Sequence, residues 1–296
     1  MSLLPQLIVN SLIAGSIYAL TSAGLCLTYG LLRILNFAHG HLMMVGVYLF
    51  YLFSVVMGFG ILGSATLTCG STILVAFLTL KIFVLPFSRL SFILTLVTTL
   101  ALSNILEAVV SMAFGVNVKS LSPGIAAQSI EYKSIYITPI QIIIILSAII
   151  ILSLIAFIIH HSSLGRRIRA LSELPHAAES IGISATRTSY LVFTTGVLLA
   201  AYSGILVGYE TNMQPTMGSG YTIKAFAAMV LGGLGNLWGT IVGSYLLGLI
   251  ENLSIGLDFG SYSIPAGYKD AFAFVIILLV LLFRPQGLFT KRKRVA

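Results

Sequence analysis

Asn104, Glu107 and Ser111 recur at i, i+3 and i+7 within a run that is otherwise apolar, so a helix would carry all three on one face. A carboxyl group in such a run costs at least about 2.5 kcal/mol on an insertion scale if it faces lipid. It must turn toward other helices or toward a watery path. Two readings stand for Glu107: a structural hydrogen-bond anchor, or a residue that a polar solute passes. Glu251, followed by Asn252, lies near the outer end of its own apolar run, where the simpler expectation is that it reaches the membrane surface. His39 and His41 flank Gly40. Two histidines with no carboxylate or cysteine beside them make a poor metal site. They are expected to hydrogen-bond where a helix breaks, and neither a metal site nor a catalytic group is expected.

Two interrupted stretches share a pattern. "NFAHGHLMMVGVY" (Asn36 to Tyr48) and "NLWGTIVGSY" (Asn236 to Tyr245) both run from Asn through Gly to a Gly-x-Tyr inside an apolar helix. Paired Gly-interrupted segments in the two halves of a chain point to the central site of a transporter. A broken helix exposes backbone N–H groups at a new N-terminus, and these suit a carboxylate-bearing solute. Tyr48 and Tyr245 are expected to line one path.

The elements that position these residues follow from composition. Of the 296 residues 58% are hydrophobic and only 8% charged, with a mean hydropathy of +1.05, whereas soluble domains carry about 25% charged residues. The chain is expected to be a membrane protein. Its net charge of +8, from 16 Lys and Arg against 8 Asp and Glu, sits in short gaps between apolar runs, which argues against nucleic acid as a partner. Apolar runs near the length of about 20 residues needed to cross a bilayer lie at Pro5 to Leu32, His41 to Met57, Ile61 to Leu85, Leu90 to Phe114, Pro139 to Ile159, Ser189 to Tyr209 and Ser263 to Phe283. A pair broken by "GGLGNLWG", Ile223 to Leu234 and Thr240 to Ile255, completes the set. The expected fold is therefore all-α, a polytopic transmembrane bundle of about eight to nine spans with Gly-broken helices. Lys81 with Arg89, the Arg166 to Arg169 cluster and "TKRKRV" (Thr290 to Val295) all fall on one side if the N-terminus is outside and the C-terminus inside, as the positive-inside rule asks. The loops Ser120 to Thr138, Thr211 to Thr222 and Asp258 to Pro265 then face outward. The first basic residue, Arg33, follows a full apolar span, so no cleaved signal is expected. Gly196, Ala200, Gly204 and Gly208, and likewise Thr240, Ser244, Gly248 and Glu251, form stripes read as close-packing faces. Cys26 and Cys69 read as small core residues.

One segment stays in water. In "RALSELPHAAESIGI" (Arg169 to Ile183), Pro175 suits the first helical position and Gly182 the residue that ends a helix. Between them Ala177, Ala178 and Ile181 supply a small apolar face. The segment reads as a short peg on the cytoplasmic side, able to dock into a groove of another protein.

"HAAESIG" (His176 to Gly182) resembles the kernel of the coupling loop found in membrane subunits of bacterial ABC importers. "GLLRILNFAHGHLMMVGVY" (Gly30 to Tyr48), the peg, "KAFAAMVLGGLGNLWGTIVGSYLLGLIE" (Lys224 to Glu251) and the closing "LLFRPQGLF" (Leu281 to Phe289) resemble, in order, the signatures of the branched-chain amino acid ABC permease family, Liv-type and H-like. The resemblance implies one permease domain over residues 1–296, with a cytoplasmic coupling loop at 160–188 and a basic cytoplasmic tail at 284–296, in the bacterial inner membrane. It implies a second homologous permease, two cytoplasmic ATPases that hold ATP and Mg, and a periplasmic solute-binding protein, with no cofactor in this chain. Pro175, His176, Ala177, Ala178, Glu179, Ile181 and Gly182 would seat on an ATPase. Asn36, His39, Gly40, His41, Gly232, Gly233 and Asn236 would border the translocation path, joined by Tyr48, Asn104, Glu107 and Tyr245 from the reading of the helices. Leucine, isoleucine and valine are the implied cargo; urea, short amides or a broader amino-acid set are the alternatives within the family. An ion-coupled secondary transporter would account for the spans and Glu107 but gives the peg no task, and an ion channel would call for a charged ring or filter loop.

Overall fold

Helix α1 (Leu3–Leu32) runs through the centre of the bundle: 83% of its most apolar window is buried, against 28% for α5 (Phe92–Phe114) and for α6 (Pro139–His161) at the periphery. The computed structural model describes residues 3–88, 90–121, 130–132, 135–256, 269–284 and 286–289. Around α1 stand α9 (Ala185–Glu210), α10 (Met217–Gly232) and α11 (Leu237–Gly256), while α2 (His39–Tyr51) packs against α9 and α10. α2 runs on through a π-helical turn at Leu52–Val56, and α3 (Ile61–Thr79) through another at Leu80–Val84 into α4 (Leu85–Ser88). α7 (Ser163–Glu173) and α8 (Pro175–Ser180) lie at the end of the bundle where α1 finishes, and α12 (Lys269–Phe283) closes the order. At the opposite end a hairpin of β1 (Ile130–Tyr132) and β2 (Ile135–Ile137) is fastened to the start of α1. There the Gln6 amide donates to the Tyr136 carbonyl (3.1 Å) and accepts from the Tyr136 N–H (2.8 Å).

Lipid offers no hydrophobic drive for helix association, so close backbone approach has to supply the attraction. The α9 ladder does this. A Cβ on Gly196 would meet the Gly24 carbonyl of α1, and one on Gly24 the Gly196 carbonyl; Gly204 lies on Met43 and Gly208 on Val47 of α2. The second stripe faces α1 in the same way: Ser244 and Ser22 hydroxyls meet at 2.6 Å, and Gly248 lies against Gly15 and Ser11. Replacing Gly196 by valine is expected to destabilise the protein by about 1–3 kcal/mol, the usual cost of overpacking, read as a lowered unfolding midpoint in detergent.

Several expectations are corrected. Among the described residues six helices are long and apolar enough to cross a membrane, or seven if α10 and α11, bent by 118° at their junction, count as one, fewer than the eight to nine counted from apolar runs. The run count treated both limbs of the broken pair as independent crossings. They instead fold back on one another, with Gly243 against Ala228. α12 adds only 15 described residues, the expected start of its run at Ser263 lying outside the described residues. Also outside them are Arg89, the Asp258 to Pro265 loop, most of the Ser120 to Thr138 loop and the tail from Thr290. Cys26 is buried as expected, but Cys69 is exposed on α3.

Candidate functional site

α1 stops at Leu32, and Arg33 follows with φ of 55°, the one non-glycine among the described residues in the left-handed region. Its N–H bonds the Tyr29 carbonyl (2.9 Å), and its guanidinium reaches the Ser172 carbonyl of α7 (3.4 Å), tying the helix end to the surface segment. The chain then turns back into the bundle. His39, the first residue of α2, places Nε2 3.0 Å from the Thr21 carbonyl of α1. Thr21 lies about 16 Å of helix before Leu32 at 1.5 Å per residue, so α2 starts at depth and not at a surface.

Three N–H groups of that start are occupied. Asn36 accepts the Ala38 N–H on Oδ1 (3.1 Å) and the His39 N–H on its carbonyl (3.2 Å), while Thr222 Oγ1 of α10 accepts the Gly40 N–H (3.0 Å). The expectation that the break offers these donors to a solute carboxylate is corrected, because Asn36 and Thr222 already take them. Gly40 is required there, since a Cβ would run into the Gly218 carbonyl and Thr222. Thr222→Val keeps the shape and removes the acceptor, leaving a buried N–H unpaired. The expected cost is about 1–3 kcal/mol, measured as loss of thermal stability with little change in the helical signal.

What the break does present is side chains. His41 Nε2 lies 3.2 Å from Glu107 Oε2 and 3.5 Å from Ser219 Oγ. His41 is buried, the Glu107 side chain is 31% exposed, and Ser219 and Asn104 are exposed. Asn36 Nδ2 and His41 Nδ1 are buried with no hydrogen-bond partner. The result is a polar seam from the buried His41 to Glu107 and Ser219, with Asn104 on the same face of α5 as Glu107, that leads from the start of α2 to the surface of the chain on α5 and α10, while Asn36 stays buried at the turn before α2. His39 and His41 point to different partners and form no common ligand set.

The second break is elsewhere. Gly232 and Gly239 touch backbone to backbone at the α10–α11 turn, Gly235 sits near Gly30 at the finishing end of α1, and Asn236 caps α11 by accepting the Gly239 N–H (3.2 Å). Residues 286–289 close the turn: the Leu288 N–H bonds the Leu231 carbonyl (2.9 Å), the Phe289 N–H the Gly232 carbonyl (3.2 Å), and the Asn236 amide the Phe289 carbonyl (3.0 Å). Gly232, Gly233 and Asn236 therefore stand at the α7–α8 end and do not join His39 and His41 in one central site. Nor do the two tyrosines share a wall. Tyr48 is buried against Phe114, ring centroids 5.1 Å apart, whereas Tyr245 fills the space beside Gly15 and shares a hydrogen bond with Ser16 (3.1 Å).

A further polar group sits between α1, α10, α11 and α12. Lys224 Nζ lies 2.8 Å from Asp270 Oδ1, 3.3 Å from Glu251 Oε1 and 3.1 Å from Tyr18 OH, and Tyr18 donates to Glu251 Oε2 at 2.7 Å. Glu251 is fully buried, which corrects the expectation that it reaches the surface. Lys224 and Asp270 form the floor of a cavity of about 480 Å³ whose wall runs along the segment between α9 and α10, at the hairpin end.

At the other end, α8 begins on Pro175 and ends on Gly182 at φ of +86°. The Ile183 N–H bonds the Ala178 carbonyl (3.1 Å) and the Gly182 N–H the Glu179 carbonyl (2.9 Å), the paired bonds of a Schellman ending. The apolar face differs from expectation: Ala178 turns inward at 3% exposure, and Leu174, Ala177 and Ile181, at i, i+3 and i+7, form the outward stripe. The alanines are neighbours in sequence and so lie about 100° apart around the helix. His176 and Glu179 are exposed beside them.

The family described as "Branched-chain amino acid transport system / permease component" matches residues 7–281. The chain belongs to that family. Among its relatives are the high-affinity branched-chain amino acid transport system permease protein BraD of Pseudomonas aeruginosa, 30% identical over 96% of this chain and 94% of that protein, and the corresponding LivH of Escherichia coli K12, also 30% identical over 96% and 94%. The solved structure of PsaBC from Streptococcus pneumoniae in complex with Fab is similar in fold, with a TM-score of 0.50 at 15% identity, covering 97% of this chain and 93% of that one. The all-α bundle is thus that of an ABC transporter permease, a multi-pass inner-membrane protein.

Three of the permease's polar residues escaped the sequence reading. Lys224 was quoted only as part of a signature, and Tyr18 and Asp270 were not singled out. A signal was present: Lys224 is the only Lys or Arg between Arg187 and Lys269. A lone intramembrane cation must find an anion, and Glu251 and Asp270 stand on the next two helices. Ser219 and Thr222 carried no such signal, since hydroxyl residues are common on packing faces.

Proposed function

We propose that this permease is the membrane-spanning subunit of a bacterial ABC importer for leucine, isoleucine and valine. The solute arrives on a periplasmic binding protein; a second, homologous permease completes the path; two cytoplasmic ATPases, holding ATP and Mg, drive alternating access. The observation that carries the reading is the likeness along nearly the whole chain to BraD and LivH, whose names state branched-chain amino acid transport. Geometry supports it at two places. The Leu174–Ala177–Ile181 stripe at α8 suits docking to an ATPase on the cytoplasmic face, and the seam from His41 to Glu107 and Asn104 gives a polar solute donors and acceptors that reach the surface of the chain. This chain makes and breaks no bonds: its part is to hold two arrangements that nucleotide binding elsewhere exchanges.

The test is uptake into proteoliposomes holding this permease with its partner permease, ATPases and binding protein. ATP-dependent accumulation of leucine, isoleucine and valine, without uptake of urea or short amides, is the expected result. Uptake driven by an ion gradient with ATP absent would overturn the importer, and ATP-driven uptake of urea alone would overturn the cargo.

A further inference from the structure

The cavity above Lys224 has features that a transport path through the seam does not use. Its floor is a charge pair of uneven exposure: the Lys224 side chain is 15% exposed and the Asp270 side chain 54%, with 2.8 Å between Nζ and Oδ1. Behind Lys224, the fully buried Glu251 already supplies a carboxyl group to the same ammonium at 3.3 Å, and Tyr18 OH lies 3.1 Å from it. One lysine thus stands between two carboxyl groups, the inner one sealed and the outer one open. Asp270 is not needed to pair the lysine. It adds negative charge at the cavity floor, on the first turn of α12.

The walls divide the same way. Asn212, Gln214 and Thr216 bring amide and hydroxyl groups from the segment that enters α10, while Val118, Met217 and Tyr221 offer apolar surface. At about 480 Å³ the cavity falls within the range of small-molecule sites, about 300–1,000 Å³. A solute that fits must carry a cation for Asp270, an anion for Lys224 and an aliphatic or aromatic group for the wall. A neutral amide would pair with the wall but forgo both charges, and a simple cation would leave Lys224 facing nothing new.

We infer that the cavity on Lys224 and Asp270 is a binding site within this single subunit for a zwitterionic α-amino acid with an apolar side chain, reached from the periplasmic side. The ligand's ammonium sits on Asp270 and its carboxylate on Lys224, so the surface ion pair opens into a four-charge arrangement with no net charge added. The inference rests on the importer reading for the side from which the cavity is entered, and it adds a resting place outside the seam.

The test uses the complete transporter in nanodiscs without its binding protein, with radiolabelled L-leucine as the probe. Saturable binding is expected, displaced by neither 3-methylbutylamine, which lacks the carboxylate, nor 4-methylpentanoate, which lacks the ammonium, nor urea. Asp270→Asn, at a half-exposed position where folding tolerates change, is expected to weaken the binding about tenfold or more, equivalent to about 1.4 kcal/mol, and Asp270→Glu to restore part of it. Absence of leucine binding, unchanged binding in Asp270→Asn, or equal displacement by either half-molecule or urea would each overturn the site. The two proposals fail separately. ATP-driven uptake with Asp270-independent binding removes the site and leaves the importer, whereas Asp270-dependent binding with uptake that ignores ATP removes the importer and leaves the site.

Discussion

Lys224→Met is expected to destabilise the permease by about 3–5 kcal/mol, the cost of breaking a buried ion pair by removing one partner. The magnitude follows from the asymmetry of the group. Glu251 is fully buried, and one of its oxygens, Oε2, receives the Tyr18 hydroxyl, whereas Oε1 meets Lys224 by charge at 3.3 Å. Taking away the ammonium removes that countercharge from a carboxyl group that water cannot reach. The double variant Lys224→Met/Glu251→Leu removes both charges together and is expected to recover most of the loss, as apolar replacements of whole buried pairs do. Denaturation of the purified protein in mixed micelles measures both. Equal destabilisation in the single and the double variant would show that the lysine acts through packing and not through charge.

The apolar runs placed α1, α5, α6 and α9 to within a few residues, and the start of α3, because each is long enough that hydropathy alone decides it. Depth was harder to read. The Asn36 to Tyr48 and Asn236 to Tyr245 stretches look alike because in both an asparagine side chain accepts a backbone N–H where a helix starts, Asn36 from Ala38 in the turn before α2 and Asn236 from Gly239 as the cap of α11. Local capping chemistry is written in the sequence, yet the level at which each cap sits depends on what packs around it. Thr21 and Thr222 hold the first inside the bundle; residues 286–289 hold the second at its end. The pairing of His41 with Glu107 was half legible, since Glu107 had to face inward or toward water, but no local pattern names a partner 66 residues away. The three-residue strands at Ile130–Tyr132 and Ile135–Ile137 are too short for alternation to announce them.

Ile181→Asp is expected to lower uptake about tenfold or more while leaving the folded permease intact. Ile181 is 76% exposed and Leu174 66% exposed at the two ends of a helix only six residues long, so the chain itself gains little from their side chains, and surface changes of this kind usually shift stability by no more than about 0.5 kcal/mol. On the proposed ATPase they enter a groove, where a central apolar residue can carry about 2 kcal/mol or more of the contact. A carboxylate there must be desolvated without a partner, which weakens docking further. Ala178→Leu supplies the contrast. Ala178 faces its own bundle at 3% exposure, so the larger side chain overpacks the chain and is expected to cost about 1–3 kcal/mol of stability. The two variants separate force transmission from folding: the first should keep its thermal stability and lose uptake, while the second should lose thermal stability and reduce uptake only as far as protein is lost. ATP hydrolysis by the Ile181→Asp transporter should no longer respond to loaded binding protein. Full uptake by that variant, at normal abundance in the membrane, would remove α8 from the path by which the ATPases move the bundle.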